Sequence, residues 1–230
     1  MRINKYIATS GFCSRRKADK LIDDGVVTID GKVAKPGDDA DEHSSVKVNG
    51  IALTIEGKED IYLILNKPVG VITTADENAD NTVFDYIDLE DRLFYIGRLD
   101  VASSGLLLMT NNGDVANKIS SPKNEHEKEY IVSVNKKMTR AFLDNMRKGV
   151  VIDDSRTKPA HIKKMTDVKF KMVITEGRNR QIRRMTEALG YEVKSLKRIR
   201  VMNLKIRELG EGNWRYLSKN ERRELLDQLK

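Results

Sequence analysis

Apolar positions along the first sixty residues change period twice. Ile3, Tyr6 and Ile7 keep helical spacing, Gly11 interrupts them, and Ser14 stands where a cap would open a second helix with Ala18, Leu21 and Ile22 on its buried side. After Gly25 the pattern becomes short and alternating. Val26 to Ile29, the pair Asp30-Gly31, Lys32 to Ala34, the loop Pro36-Gly37-Asp38, and Val46 to Val48 before Asn49-Gly50 predict small strands joined by tight turns. The polar run Thr54 to Asp60 has the composition of a linker, and it sets an expected boundary between residues 57 and 58.

Beyond the linker, Ile61 to Leu65 and Val71 to Thr74 predict two strands around the turn Asn66-Lys67-Pro68-Val69-Gly70, and an acidic loop, Asp76 to Asn81, leads to a brief helix at Val83 to Ile87. Phe94 to Ile96 and Leu106 to Thr110 are expected strands bracketing Gly97 to Gly105, a polar loop with glycine at both ends. Lys128 to Val134 and Phe170 to Thr175 alternate as strands do. Thr139 should cap a helix carrying Phe142, Leu143 and Met146, and Asn179 to Leu189 reads as a helix closed by Gly190. Ser218 and Glu221 form a capping box for a last helix. Many strands with irregularly inserted helices predict an α+β fold: a small helix-helix-sheet domain over residues 1–57, then a larger domain over 58–230 around a largely antiparallel mixed sheet.

Composition narrows the class of protein. With 230 residues, 39% hydrophobic and 33% charged, the chain holds enough apolar material for a core and is not a disordered chain. The single Cys13 and the scattered His43, His126 and His161 give neither a disulfide nor a metal cluster, so no metal is expected. No apolar run approaches membrane-span length, and a cytoplasmic protein without membrane contact is expected. The net charge of +7 is unevenly distributed. Residues 1–20 carry +5, residues 21–60 carry −6, residues 61–121 carry −5, residues 122–175 carry +6 and residues 176–207 carry +7. Two separated basic blocks suit a polyanion track; solvated charged faces are the plainer account.

The segment Gly177 to Met185, GRNRQIRRM, is the strongest anomaly. On a helix, Arg180 and Arg184 would share the exposed side with Arg183 at its edge, placing like charges together at the positive helix end. A phosphate bound there would offset the repulsion, since guanidinium groups and free backbone N–H groups both suit it. Asp100 sits in the glycine-bounded loop, two residues after Arg98. A carboxylate so placed serves as nucleophile, general base or cation ligand, or forms an Asx turn or helix cap. Tyr130 beside Lys128 is either a stacking platform or an ordinary sheet aromatic.

Three stretches, YIGRLDVASSGLLLMTNNGD, HEKEYIVSV and EGRNRQIRRMTEALGYEV, together resemble the ribosomal RNA pseudouridine synthases, and the first block resembles the small RNA-binding domain also found in a ribosomal small-subunit protein. The similarity spans nearly the whole chain in the family's order. It implies an isomerase that flips a uridine from ribosomal RNA, or from a tRNA, into a pocket, breaks the C1'–N1 bond, rotates the uracil and joins C5 to C1' without a cofactor. It implies that Asp100 is the catalytic residue, by attack on C1' or by removal of a sugar proton, that Tyr130 stacks on the base and helps move a proton, and that Arg183 pairs with the carboxylate. RNA contacts are expected from Arg2, Lys5, Arg15, Arg16 and Lys17 in the first block, from Lys67, Arg98 and Lys128, and from Arg178, Arg180 and Arg184 in the arginine segment. A monomer is expected. The alternative is a non-catalytic ribosomal RNA-binding or assembly protein using the same basic surfaces.

Overall fold

The computed structural model describes residues 1–55, 57, 59–76 and 78–230. Glu56 in the expected linker, Lys58 at the expected boundary and Glu77 in the acidic loop lie outside the described residues. Packing divides the chain into two units. One comprises Met1–Ile61, Leu89–Phe94 and Asn111–Gly113, and the other Tyr62–Asp88, Tyr95–Thr110 and Asp114–Lys230.

In the first unit, α1 (Ile3–Thr9) and α2 (Arg15–Asp23) precede β1 (Val27–Ile29), β2 (Lys32–Val33), β3 (Val46–Val48) and β4 (Ile51–Leu53). The Ser14 hydroxyl accepts a hydrogen bond from Lys17 N at 3.1 Å, as the cap pattern requires. Asp30-Gly31 and Asn49-Gly50 all have positive φ, the two-residue turn whose twist matches the strands it joins. The sheet runs β2-β1-β3-β4. Ile3, Tyr6, Ile7, Ala18 and Ile22 pack against Val27, Val46 and Val48, which leaves Arg15, Arg16 and Lys17 on the exposed side of α2. Late-sequence asparagines belong to this unit: Asn111 Oδ1 accepts from Ile61 N at 2.9 Å, and Asn112 Nδ2 donates to both Asp60 oxygens at 3.1 and 3.0 Å.

The rest of the chain contributes β5 (Tyr62–Lys67), β6 (Phe94–Ile96), β7 (Ser104–Thr110), α3 (Gly113–Ser120), β8 (Lys128–Val134), α4 (Arg140–Lys148), β9 (Val151–Ile152), β10 (Ser155–Arg156), β11 (His161–Lys164), β12 (Lys169–Ile174), α5 (Gln181–Ala188), β13 (Val193–Val201), β14 (Leu204–Lys205), β15 (Trp214–Tyr216) and α6 (Lys219–Asp227). The main sheet is ordered β11-β12-β8-β13-β7-β5-β15. Along this path only β13 and β7 run parallel; every other neighbouring pair is antiparallel. This is an α+β fold with a mixed, mostly antiparallel sheet. Strands β5 and β7 are buried along their whole length, in keeping with their nearly unbroken apolar runs.

Two expected elements differ. Val71 to Thr74 forms no strand: Ile72 makes one isolated bridge to Thr82, and the turn around it is tied down by side chains instead. Helix α5 begins at Gln181, later than the expected Asn179, because Arg180 adopts a left-handed conformation (φ 49°) as the residue before the helix. Among the described residues no helix is long and apolar enough to cross a membrane.

Candidate active site

One lateral row crosses the middle of the large sheet: Met172 of β12, Tyr130 of β8, Arg198 of β13 and Gly105 of β7 are paired in sequence across four strands. Residues paired this way project to one side of a sheet. Tyr130 and Arg198 therefore stand together, and both are buried. Gly105 has φ +109°, and a Cβ there would lie 2.2 Å from the Arg198 carbonyl oxygen, so glycine is what allows β7 and β13 to meet.

Just before β7, the loop from Gly97 to Ser103 presents Asp100. Leu99 is buried and anchors the loop, its carbonyl accepting from Thr73 Oγ1 at 3.0 Å, and Ser103 N donates to Asp100 O at 2.9 Å to close a turn. The Asp100 carboxylate is partly open to solvent. Arg183 Nε lies 3.8 Å and Arg180 Nη1 4.0 Å from Asp100 Oδ2. Arg183 reaches this place from the first turn of α5 and is fixed there by the loop itself, since its Nη2 donates to Ala102 O at 2.7 Å and to Ser103 Oγ at 3.1 Å. Burial, with help from neighbouring Arg180, pulls the Arg183 pKa below the usual arginine value, and Asp100 opposes that shift.

These groups surround a cavity of about 180 Å³. Asp100 and Ser103 form one side, Lys128, Tyr130 and Arg198 the sheet side, and Arg178, Arg180 and Gln181 the side nearest α5, with Leu99, Ile174, Leu196 and Val201 supplying apolar wall. Arg98 also lines it. The cavity thus offers a carboxylate, an aromatic ring, cations and an apolar floor, the combination needed to hold a planar base attached to a phosphate backbone. Arg198, absent from the sequence expectations, is 3% exposed; its Nε donates to Leu106 O at 2.7 Å. Its position opposite Tyr130 follows only from strand register, which no local motif reveals.

The arginine segment divides its labour differently from the sequence expectation. Arg178 donates to Ser155 Oγ at 2.6 Å and to Arg156 O at 2.8 Å, and Arg184 pairs with Asp153, so both grip the β9–β10 hairpin. The Arg184 and Asp153 charges hold each other ionised, the hydrogen bond raising the arginine pKa and lowering that of the aspartate. Arg180, half-exposed beside Asp100, is the member left facing the opening. Lys128 is partly buried, with its Nζ on His126 O at 3.1 Å, and burial followed by the nearby Arg198 lowers its pKa. In the other unit, Arg15, Arg16 and Lys17 are exposed, Lys5 is half-buried, and the Arg2 guanidinium is bonded to Gly37 O and lies 3.4 Å from Asp39.

Lys67 departs furthest from expectation. Rather than pointing toward solvent as an RNA contact would, it is fully buried, and its Nζ donates to Pro68 O at 2.8 Å and Val71 O at 2.7 Å. It therefore acts as the pin of the turn. Burial lowers its pKa to about 8, against the opposing pull of Asp100. The unfolded chain, with an ordinary lysine pKa, binds this proton more tightly than the folded one. The cost of burying the charge is thus present in full below pH 8 and is relieved as pH rises from about 8 toward 10.5. Urea unfolding at pH 7.5 and pH 10 should show wild type gaining about 1 to 3 kcal/mol over Lys67→Met across that interval. Parallel pH profiles for the two proteins would contradict the shifted titration.

A carboxylate flanked by arginines beside a cavity walled by an aromatic ring can hold and act on a nucleic-acid base, and comparison with known proteins gives the class of enzyme. The chain belongs to the RNA pseudouridylate synthase family, whose model matches residues 61–188, and residues 1–46 match the S4 domain. It is 45% identical over 222 residues to the dual-specificity RNA pseudouridine synthase RluF of Escherichia coli, covering 96% of this chain and 77% of that one. It is 40% identical over 230 residues to the ribosomal large subunit pseudouridine synthase B of Bacillus subtilis, covering 96% and 93%. A crystal structure of a pseudouridylate synthase superposes with a TM-score of 0.72 at 31% identity, over 98% of this chain and 99% of that one. The protein is an enzyme that isomerises uridine to pseudouridine in RNA, and the binding-only alternative is disfavoured.

Proposed function

We propose that the enzyme acts on uridine in large-subunit ribosomal RNA, as a cytoplasmic monomer needing no cofactor, with residues 1–57 docking RNA and residues 58–230 carrying out the chemistry. The observation that carries the catalytic part is the Asp100 carboxylate set between Arg183 and Arg180 at the edge of a cavity walled by Tyr130. Asp100 is the catalytic residue. As nucleophile at C1' or as base toward the sugar, it works as the carboxylate, and the two arginines favour that charge. The freed uracil turns within the cavity, C5 joins C1', and the C5 proton leaves. Tyr130 supports the ring by stacking and takes part in that last proton transfer. The name of the Bacillus subtilis relative, a ribosomal large subunit pseudouridine synthase, supports a large-subunit RNA target. Pseudouridine mapping of ribosomal RNA from cells lacking the gene, and of the same RNA after incubation with purified enzyme, tests it; a site found only in small-subunit RNA or tRNA would overturn the target.

Roles within the site separate by step. Tyr130→Phe keeps the ring and loses the hydroxyl, so RNA affinity should hold while single-turnover conversion slows about 10²-fold or more. Arg183→Met should lower the single-turnover rate at saturating enzyme with less effect on binding. A large loss of RNA affinity in either variant, with the rate at saturation kept, would reverse these assignments.

The first unit is assigned the phosphate track. Replacing Arg15, Arg16 and Lys17 together by alanine removes three exposed cations from α2 and should make the slope of log K against log salt shallower by about 2 to 3. Filter binding over a salt series reads this directly, and an unchanged slope would remove α2 from the interface.

A further inference from the structure

Arg198 is the cation of the cavity that the roles given so far leave without a task. It stands in the same lateral row as Tyr130, on the neighbouring strand, and is almost fully buried. Two of its three guanidinium nitrogens are spent on backbone: Nε donates to Leu106 O at 2.7 Å and Nη1 to Arg98 O at 3.4 Å. Those carbonyls lie before and after Asp100, so the guanidinium ties both ends of the loop that presents the carboxylate. The third nitrogen, Nη2, is buried and has no hydrogen-bond partner among the described residues.

A buried guanidinium with an unpaired donor destabilises a fold, so the position calls for an acceptor that the protein does not itself provide. The carboxylates lining the cavity do not supply one. Asp100 lies beside Arg183 and Arg180, and Glu176 accepts from Lys158 N at 2.9 Å and from Gln181 Nε2 at 2.7 Å. Lys128 lines the same wall and brings a second positive charge close to Arg198. Two cations on one wall suit a negative acceptor, and the depth of Arg198 suits a base drawn into the cavity, since a phosphate stays with the RNA backbone at the opening.

The reaction makes such an acceptor. Either Asp100 bonds to C1', or it takes a sugar proton whose electron pair forms a double bond at C1'. By both routes the C1'–N1 bond breaks, its electron pair departs with the uracil, and the charge is shared by N1 and the two carbonyl oxygens. The anion lasts until that pair forms the C5–C1' bond, when Asp100 leaves C1' or returns its proton to the sugar, and the C5 proton is lost. A fixed N–H group aimed at charge that exists only in this interval lowers the barrier without having to rearrange. A ring stacked on Tyr130 has Arg198 at its edge, where the carbonyl oxygens project.

We infer that Arg198 is a second catalytic residue: its Nη2 donates a hydrogen bond to a carbonyl oxygen of the uracil and stabilises the negative charge of the detached base. The inference rests on the assignment of Asp100 as the group that acts on the sugar. It makes the contribution of Arg198 depend on how poor a leaving group the base is.

The test uses a stem-loop fragment of large-subunit ribosomal RNA that wild type converts, carrying at the target either uridine or 5-fluorouridine, whose more acidic base departs more readily unaided. Loss of the N-linked target nucleoside is read from nuclease digests in single-turnover assays at saturating enzyme. Arg198→Gln keeps a donor for the loop and drops the charge; it should slow the uridine RNA about 10²-fold and the 5-fluorouridine RNA less than about 10-fold. Arg198→Lys keeps the charge but cannot hold loop and base together, and should lose about 10-fold on uridine and about 2-fold on 5-fluorouridine; it carries the comparison if the glutamine variant does not fold. Equal losses on both RNAs in a folded variant would make Arg198 a brace of the loop alone, and a wild-type rate on uridine without the charge would remove it from the chemistry; either result overturns the inference. Asp100→Asn, run alongside, should be inactive on both RNAs; cleavage there would overturn the reading of the site itself, whatever the Arg198 variants do.

Discussion

Asp100→Asn should leave a folded protein that binds RNA and converts none of it. The substitution keeps the size of the side chain and removes its charge, hence its capacity to attack C1' or to accept a proton. The single-turnover rate should fall by at least about 10³-fold, the scale of losing a positioned acid–base group or more. Affinity should change little and in the favourable direction, because one negative charge leaves a site flanked by Arg180 and Arg183. The decisive comparison is conversion of a verified RNA substrate by variant and wild type matched for circular dichroism and unfolding midpoint. Conversion near the wild-type rate would move the catalytic role to another group.

The second large effect is structural. Gly105→Ala places a methyl group 2.2 Å from the Arg198 carbonyl oxygen and asks alanine to adopt φ +109°. Backbone strain and overpacking together should cost about 3 to 5 kcal/mol, since neither strand can give way without breaking the parallel junction of β7 and β13. That corresponds to a fall in Tm of about 10 °C. Activity should drop as well at temperatures where the protein stays folded, because Arg198 and Tyr130 share the displaced row. A loss below about 1 kcal/mol in urea unfolding would show that the junction relaxes more easily than its geometry implies.

The first unit was largely legible in the sequence because its signals are local: a serine cap, two helical stripes and turn pairs of aspartate or asparagine with glycine. Strand β4 follows from the same hairpin logic, yet none of its three residues is fully buried, so no alternation of buried and exposed positions marks it. In the second unit, β8, α4 and the capped α6 announce themselves by alternation or by caps. Strand β13 does not. Its sequence, VKSLKRIRV, carries four cations in nine residues, two bulges break its pairing with β8, and Arg198 lies buried where alternation leads one to expect an apolar side chain. Helix α3 is hidden for a different reason, since it starts at a glycine and buries only Ala116 and Ile119. The site shows the same division. Asp100, Tyr130 and Arg183 stand in recognisable motifs, whereas the duties of Arg178, Arg184 and Lys67 depend on a distant hairpin or on depth below the surface. Charge counting treats every arginine alike. Only the fold separates those that brace β9 and β10 from the one left at the opening.

Arg183 owes its position to the backbone of the loop it serves: its strongest contacts are to Ala102 O and Ser103 Oγ, both closer than the carboxylate. Removing the carboxylate charge should therefore leave the arginine standing where it was. A chemically silent protein made this way would keep the shape of its substrate pocket, and it would be a natural bait for crystallising the enzyme with an unreacted uridine in place.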